Sequence, residues 1–194
     1  MDPLVLIYNK LMLSSLLKIT ADLFEIVGKF GGAERCWRKI SSLNSNAENL
    51  TAAGYICFKN KNFQDAENYF LKAIKKSPKY FQAFFNLGFL KQKEKCHVDA
   101  IHYFSKAIEL NGKCDVAYYG RAQSFLATDL LDKAILDLQQ TIELQPFGPH
   151  AYYKLSHIYA KLNKREKALE IVQKLVGFEP QLARQLKIEL NLEY

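Results

Sequence analysis

The stretch FQDAENYFLKAIKKSP, Phe63 to Pro78, decides the fold. Counted from Ala66, Phe70 follows at four residues, Ala73 at seven and Pro78 at twelve. Apolar residues at that spacing share one face of an α-helix, and a proline beyond them stops it because proline has no N–H for the preceding turn. The same face returns 34 residues on as Ala100, Phe104, Ala107 and Gly112. It returns again as Ala134, Leu138, Thr141 and Pro146, and once more as Ala168, Val172, Leu175 and Pro180. Four copies hold one period with no insertion or deletion, which marks a chain built from repeated structural units.

A second face repeats in phase with the first. The small residues Gly54, Gly88, Ala122 and Ser156 stand 34 residues apart, each preceded at four residues by a large apolar one: Leu50, Phe84, Tyr118 and Tyr152. Each unit therefore reads as a helical hairpin. Helix A carries the large-then-small pair and helix B the Ala–Phe–Ala stripe. The small residue lets helix B approach closely, where a bulky side chain would wedge the hairpin open. One hairpin cannot bury its apolar face, but stacked neighbours bury a continuous core.

This set of residues resembles the tetratricopeptide repeat (TPR) family over 47–80, 81–114, 115–148 and 149–182. The resemblance implies an all-α, right-handed α-solenoid of helix–turn–helix hairpins with N-terminal helices and a C-terminal capping helix. The chain departs from the family pattern locally. Gly112 stands for the usual proline, Thr141 for the usual alanine, and Lys91 and Arg121 hold positions that are normally apolar. Upstream, Leu17, Ala21 and Phe24 followed by Ala33, Trp37 and Ile40 fit a degenerate hairpin over 14–46, one residue out of phase. Residues 1–13 read as a separate apolar helix, with Asp2 as its N-cap and Pro3 at the first helical position. Residues 183–194 form a cap or tail. Leu182, Leu186 and Leu190 have helical spacing, while KIELNLEY alternates and suits an extended segment as well.

The bulk composition excludes several function classes. With 49% hydrophobic and 24% charged residues, and only 5 Pro and 9 Gly, the chain is an ordinary globular sequence with little punctuation for an all-β fold. The net charge of +7 comes in short runs such as KAIKKSPK (72–79) and KLNKREK (161–167), diluted by acids and without interleaved rings. These read as solvated outer faces, and a nucleic-acid partner is not expected. Asn9, Lys10, Ser14 and Ser15 interrupt the apolar start, so neither a membrane span nor a secretory signal is expected; the location read from this is cytoplasmic. Cys36, Cys57, Cys96 and Cys114 have no ligand spacing, and the adjacent Cys96 and His97 cannot converge on one ion. No metal, cofactor or catalytic constellation is read; His97, His102, His150 and His157 are scattered, and the repeats leave no room for a catalytic domain.

What remains is the concave surface, which in the family is lined by helix A side chains and holds an extended peptide or a partner helix. Carried over, that geometry makes Tyr55, Phe58, Gln82, Phe85, Asn86, Phe89, Tyr119, Gln123, Tyr153 and His157 the candidate peptide-binding groove. One subclass of the family grips carboxylate-ended chaperone tails through Lys, Asn and Arg. Here Thr51 and Tyr55 replace its first pair and Val116 and Gly120 its last, so only Asn86 survives and that mode is excluded. Aromatic rings at Tyr55 and Phe89, with His157, make the groove apolar rather than ionic, and rings supply contact area at low entropic cost. The reading is a protein–protein interaction module, an adaptor, scaffold or chaperone-like protein that binds an apolar peptide or amphipathic helix of unidentified sequence. The alternative is a structural homo-oligomer assembled through its N-terminal helix or C-terminal tail. A membrane partner is not expected.

Overall fold

The computed structural model describes residues 3–192, and their regular structure is helical throughout. The chain divides into two compact units, the first ending at Glu94 and the second beginning at Lys95. Unit 1 holds α1 (Pro3–Ile26), α2 (Phe30–Leu43), α3 (Ala47–Lys59), α4 (Phe63–Lys76) and α5 (Phe81–Lys93). Unit 2 holds α6 (His97–Leu110), α7 (Asp115–Ala127), α8 (Leu131–Leu144), α9 (Pro149–Lys161), α10 (Arg165–Leu175) and α11 (Pro180–Glu189).

The period is visible in the backbone as well as in the side chains. Each A-to-B corner turns on one residue in the left-handed region: Lys61 (φ 64°), Lys95 (62°), Asp129 (58°) and Asn163 (55°), each 34 residues after the last. Behind three of them the chain closes in the same way. The N–H of Asn62 donates to the Cys57 carbonyl at 2.8 Å, Leu130 to Phe125 at 2.9 Å and Lys164 to Tyr159 at 2.9 Å. This six-to-one bond satisfies a carbonyl that the helix end would otherwise leave open. The return corners repeat too, with Ser77, Asn111 and Gln145 at φ −142°, −144° and −137° and their N–H groups donating to the Ala73, Ala107 and Thr141 carbonyls at 2.9 Å each.

Packing inside each unit follows the stripes. In unit 1, Ala66, Phe70 and Ala73 of α4 are fully buried, and a Cβ placed on Gly54 of α3 would stand 2.6 Å from the Phe70 ring. In unit 2, Phe104 of α6 is buried against Gly120 of α7, where an added Cβ would again meet the ring at 2.6 Å. Ala134, Leu138, Ala168, Val172 and Leu175 continue the interior into a core that includes Leu186 of α11.

The two departures at apolar positions are resolved by pairing. Lys91 reaches Glu67 at 2.6 Å and Glu94 at 3.1 Å. Arg121 lies over the Tyr118 and Phe125 rings and forks onto Asp137 with two bonds of 2.8 Å, while a third nitrogen donates to Ser105 at 3.0 Å. One guanidinium thus ties α6, α7 and α8 together.

The N-terminal region differs from expectation. No break separates 1–13 from 14–46, because one helix, α1, runs from Pro3 to Ile26. Two hydroxyls along it are satisfied within it: Ser15 Oγ donates to the Leu11 carbonyl at 3.0 Å and Thr20 Oγ1 to the Leu16 carbonyl at 2.8 Å. The second half of α1 packs on α2 through Leu17, Ala21 and Phe24 against Ala33, Cys36 and Trp37. Beside that hairpin lies a charged network. Glu34 of α2 accepts from Asn60 at 2.6 Å and from Arg38, which also pairs with Asp65 of α4. Burial pushes the Glu34 carboxyl upward, but the bonds from Asn60 and Arg38 outweigh it and hold it below the usual carboxylate range. The bond from Arg38 likewise lowers Asp65. Neighbouring Cys57 is pushed up to about 12, first by burial and then by the charge of Glu34.

At the other end, KIELNLEY is not extended over its described part. Helix α11 continues to Glu189 and closes with Asn191 at φ 50° and a bond of 2.8 Å from Leu192 N–H to the Lys187 carbonyl. Pro180, the last member of the proline ladder, is the first residue of α11 rather than the end of α10. All four cysteines are free, Cys96 being exposed and the others buried. Among the described residues no helix is long and apolar enough to cross a membrane.

Candidate functional site

The predicted groove residues fall on the A helices of both units, and each set has its own chemistry. In unit 1, Tyr55 and Phe58 come from α3, and Gln82, Phe85, Asn86 and Phe89 from α5. Tyr55 is 42% exposed, and the other five are half-buried. The last turns of the two helices bring Phe58 and Phe89 together, ring centroids 5.4 Å apart and tilted by 58°. Phe63, the first residue of α4, joins them at 5.6 Å from Phe58. The Lys93 ammonium lies 5.4 Å over the Phe89 ring, and Lys59 lies 5.3 Å over Phe30. Cations over ring faces are held by the ring quadrupole without needing a carboxylate. Thr51, placed on the same surface by the family geometry, is instead buried in the hairpin.

In unit 2, Tyr119 and Gln123 come from α7, and Tyr153 and His157 from α9; all four are half-buried. The structure brings Tyr153 and His157 together, ring centroids 4.5 Å apart, while Tyr119 lies 6.4 Å from His150. Glu189 of α11 completes the group. It accepts a bond from the Tyr153 hydroxyl at 3.1 Å, and its Oε1 lies 3.4 Å from His157 Nε2 without the alignment of a hydrogen bond. The bond to Glu189 raises the Tyr153 hydroxyl above its ordinary value, because ionising it would place two negative charges together. Beside these rings a cleft of about 410 Å³ is lined by Leu126, Leu131, Tyr153, Lys154, His157 and Ile158, with Lys161 at its edge. A larger cleft, about 870 Å³, opens between α10 and α11, and none of the predicted groove residues lines it.

Sequence reasoning missed Phe63 and Glu189. Phe63 opens α4 one turn before Ala66, and two of its 34-residue counterparts, His97 and Arg165, are polar, so the ladder does not mark it. Glu189 lies in the segment whose alternation left its conformation open, and no periodic signal marks it. Gly120 belongs to the interior against Phe104 and not to the surface on which the family places a clamp residue.

Models of the tetratricopeptide repeat match residues 47–80, 99–149 and 149–182. No curated protein matches the sequence. Among solved structures, MamA is 25% identical over 84% of this chain and 96% of its own, with a TM-score of 0.75. YrrB, described as a TPR protein with an unusual peptide-binding site, is 26% identical over 86% of this chain and 88% of its own, with a TM-score of 0.68. The first TPR of Spaghetti (RPAP3), bound to the HSP90 peptide SRMEEVD, matches 60% of this chain and 93% of its own at 24% identity and a TM-score of 0.59, a likeness of fold alone.

Proposed function

Since this chain belongs to the tetratricopeptide repeat family, we propose that it is a non-catalytic interaction module whose A helices hold an apolar peptide or amphipathic helix of another protein. The observation that carries this reading is the pairing of half-buried rings at corresponding surfaces of both units, Phe58 with Phe89 and Tyr153 with His157. Rings already packed against one another at a tilt lose little freedom on binding and offer slots between them for apolar side chains. The peptide-binding site of YrrB, a structural relative of this chain, supports the class of ligand.

The acidic peptide held by the RPAP3 repeat is not the ligand expected here. A cationic clamp at the corresponding positions would need basic side chains, whereas this chain has buried Thr51, Tyr55, exposed Val116 and a Gly120 packed under Phe104. The adaptor role follows from the same chemistry, because rings without a charge clamp recognise a class of apolar segments rather than one ionic end group.

Panning an unbiased peptide library on the full chain, followed by calorimetric titration of the selected peptide, tests the reading. Phe89→Ala and Tyr153→Ala should each weaken binding by about 1–3 kcal/mol with the helical signal unchanged. Affinity should change little with salt, since few charges are neutralised. Replacing Lys75 and Lys76, exposed on the outer helix α4, by Ala should do little. Strong salt dependence with indifferent ring variants would move the site to the basic outer surface.

A further inference from the structure

Helix α1 has two faces, and only one is used. Leu17, Ala21 and Phe24 pack on α2 and α3. On the other side Met12, Leu16, Ile19, Leu23 and Ile26 stand 56–80% exposed. Their separations are four, three, four and three residues. That spacing has a period of 3.5, the seam of a left-handed coiled coil, and a helix keeps it facing outward only if another helix of the same period lies along it. The next position of the seam toward the N-terminus is Asn9, a polar residue that ends the stripe.

We propose that this seam is an interface between two copies of the chain, with α1 packed antiparallel on the partner's α1 about a two-fold axis. In an antiparallel pair the two kinds of seam position face each other. Here Leu16 then faces the partner's Ile19, and Met12 faces the partner's Leu23, so four apolar layers form from one self-complementary surface. Charge sets the direction. The basic residues Lys10 and Lys18 precede the acidic residues Asp22 and Glu25, so antiparallel helices bring unlike ends together and oppose their dipoles, while parallel ones stack like on like.

Area agrees with a stable pair. A large apolar side chain left about three-fifths exposed offers roughly 100 Å². The five seam residues with the exposed flanking Tyr8, Leu13 and Val27 therefore offer about 800 Å², the share each partner gives a standard interface. A bilayer surface is a poorer occupant, because the two lysines and two acids of α1 cancel and leave no basic face for lipid headgroups. The pairing does not rest on the ring-lined surfaces and stands or falls apart from them.

Sedimentation velocity of the full chain should find a dimer at micromolar concentration. Leu16→Glu combined with Leu23→Glu should raise the dissociation constant at least about a hundredfold, while Leu136→Glu, an equally exposed site on α8, should leave it unchanged. In a Cys96→Ser background, a short bismaleimide should join Met12→Cys chains to Leu23→Cys chains in a mixture, and neither to itself. This arm remains decisive should the double glutamate variant fail to fold. A monomer at ~100 µM, a dimer indifferent to the seam, or recovery of a monomeric chain on anionic phosphatidylserine vesicles would each overturn the proposal.

Discussion

The ring surfaces of unit 1 and unit 2 stand on the same repeat and differ at their tips. In unit 1 phenylalanines meet phenylalanines, Phe58 with Phe63 and Phe89, and the nearby charges are lysines lying over rings. In unit 2 the rings carry polar ends, and Glu189 ties Tyr153 to α11. The period dictates which positions are buried, since those must fit a neighbour, and leaves the outward positions to vary. A repeat can therefore keep its scaffold while one end of its surface becomes fully apolar and the other hydrogen-bonded.

The largest expected effect tests the two close approaches that build the scaffold, one within a hairpin in unit 1 and one between hairpins in unit 2. Gly54→Leu should wedge α3 from Phe70, and Gly120→Leu should wedge α7 from Phe104, since even a Cβ stands 2.6 Å from each ring. Each should cost about 3 kcal/mol or more, at or above the upper end for overpacking. Denaturant midpoints read by circular dichroism check it: Gly54 faces the B helix of its own hairpin and Gly120 that of the preceding one, so a variant that melts with the parent would remove the corresponding contact from the scaffold.

The next effect separates the supports of the two surfaces. Arg121 and Asp137 form a closed fork, so Asp137→Ala should cost about 2–3 kcal/mol by stranding a largely covered guanidinium. Glu34→Ala in unit 1 should cost about 1–2 kcal/mol, because Arg38 keeps Asp65. The unit 1 network should also be acid-sensitive. Glu34 and Asp65 are both lowered by folding, so their contribution is present above the ordinary carboxylate range and is lost as pH falls through the lowered values. Urea midpoints taken stepwise from neutral pH to ~3 should fall more steeply for the parent than for Glu34→Ala.

The smallest effect is at the tip itself. The raised Tyr153 hydroxyl keeps its bond to Glu189 below the ordinary tyrosine range and loses it as pH rises through the raised value. In an ultraviolet titration, Glu189→Ala should move one tyrosine step to lower pH, whereas Phe89→Ala in unit 1 should move none.

Most of the fold was legible because buried positions obey the period: Ala66, Phe70 and Ala73, with their 34-residue echoes, are the interior. The placement of Phe58, Phe89, Tyr153 and His157 on A helices was legible for the same reason. Illegible were features that arise once per chain. Glu189 reaches Tyr153 across 36 residues, off the ladder. The partners of Arg121 on α6 and α8 stand 16 residues to either side of it, an interval that the 34-residue period does not mark. The continuity of α1 was hidden because Ser15 looks like an interruption until its hydroxyl is seen bonded one turn back.

The left-handed corners have a consequence for engineering. Glycine occupies such a conformation without penalty, yet Lys61, Lys95, Asp129 and Asn163 all carry side chains there, and for residues such as lysine the conformation costs about 1–2 kcal/mol. Some of that is recoverable, though glycine gives part of it back through the greater freedom of the unfolded chain. The molecule thus holds a reserve of stability at its corners, on which a more robust version could draw.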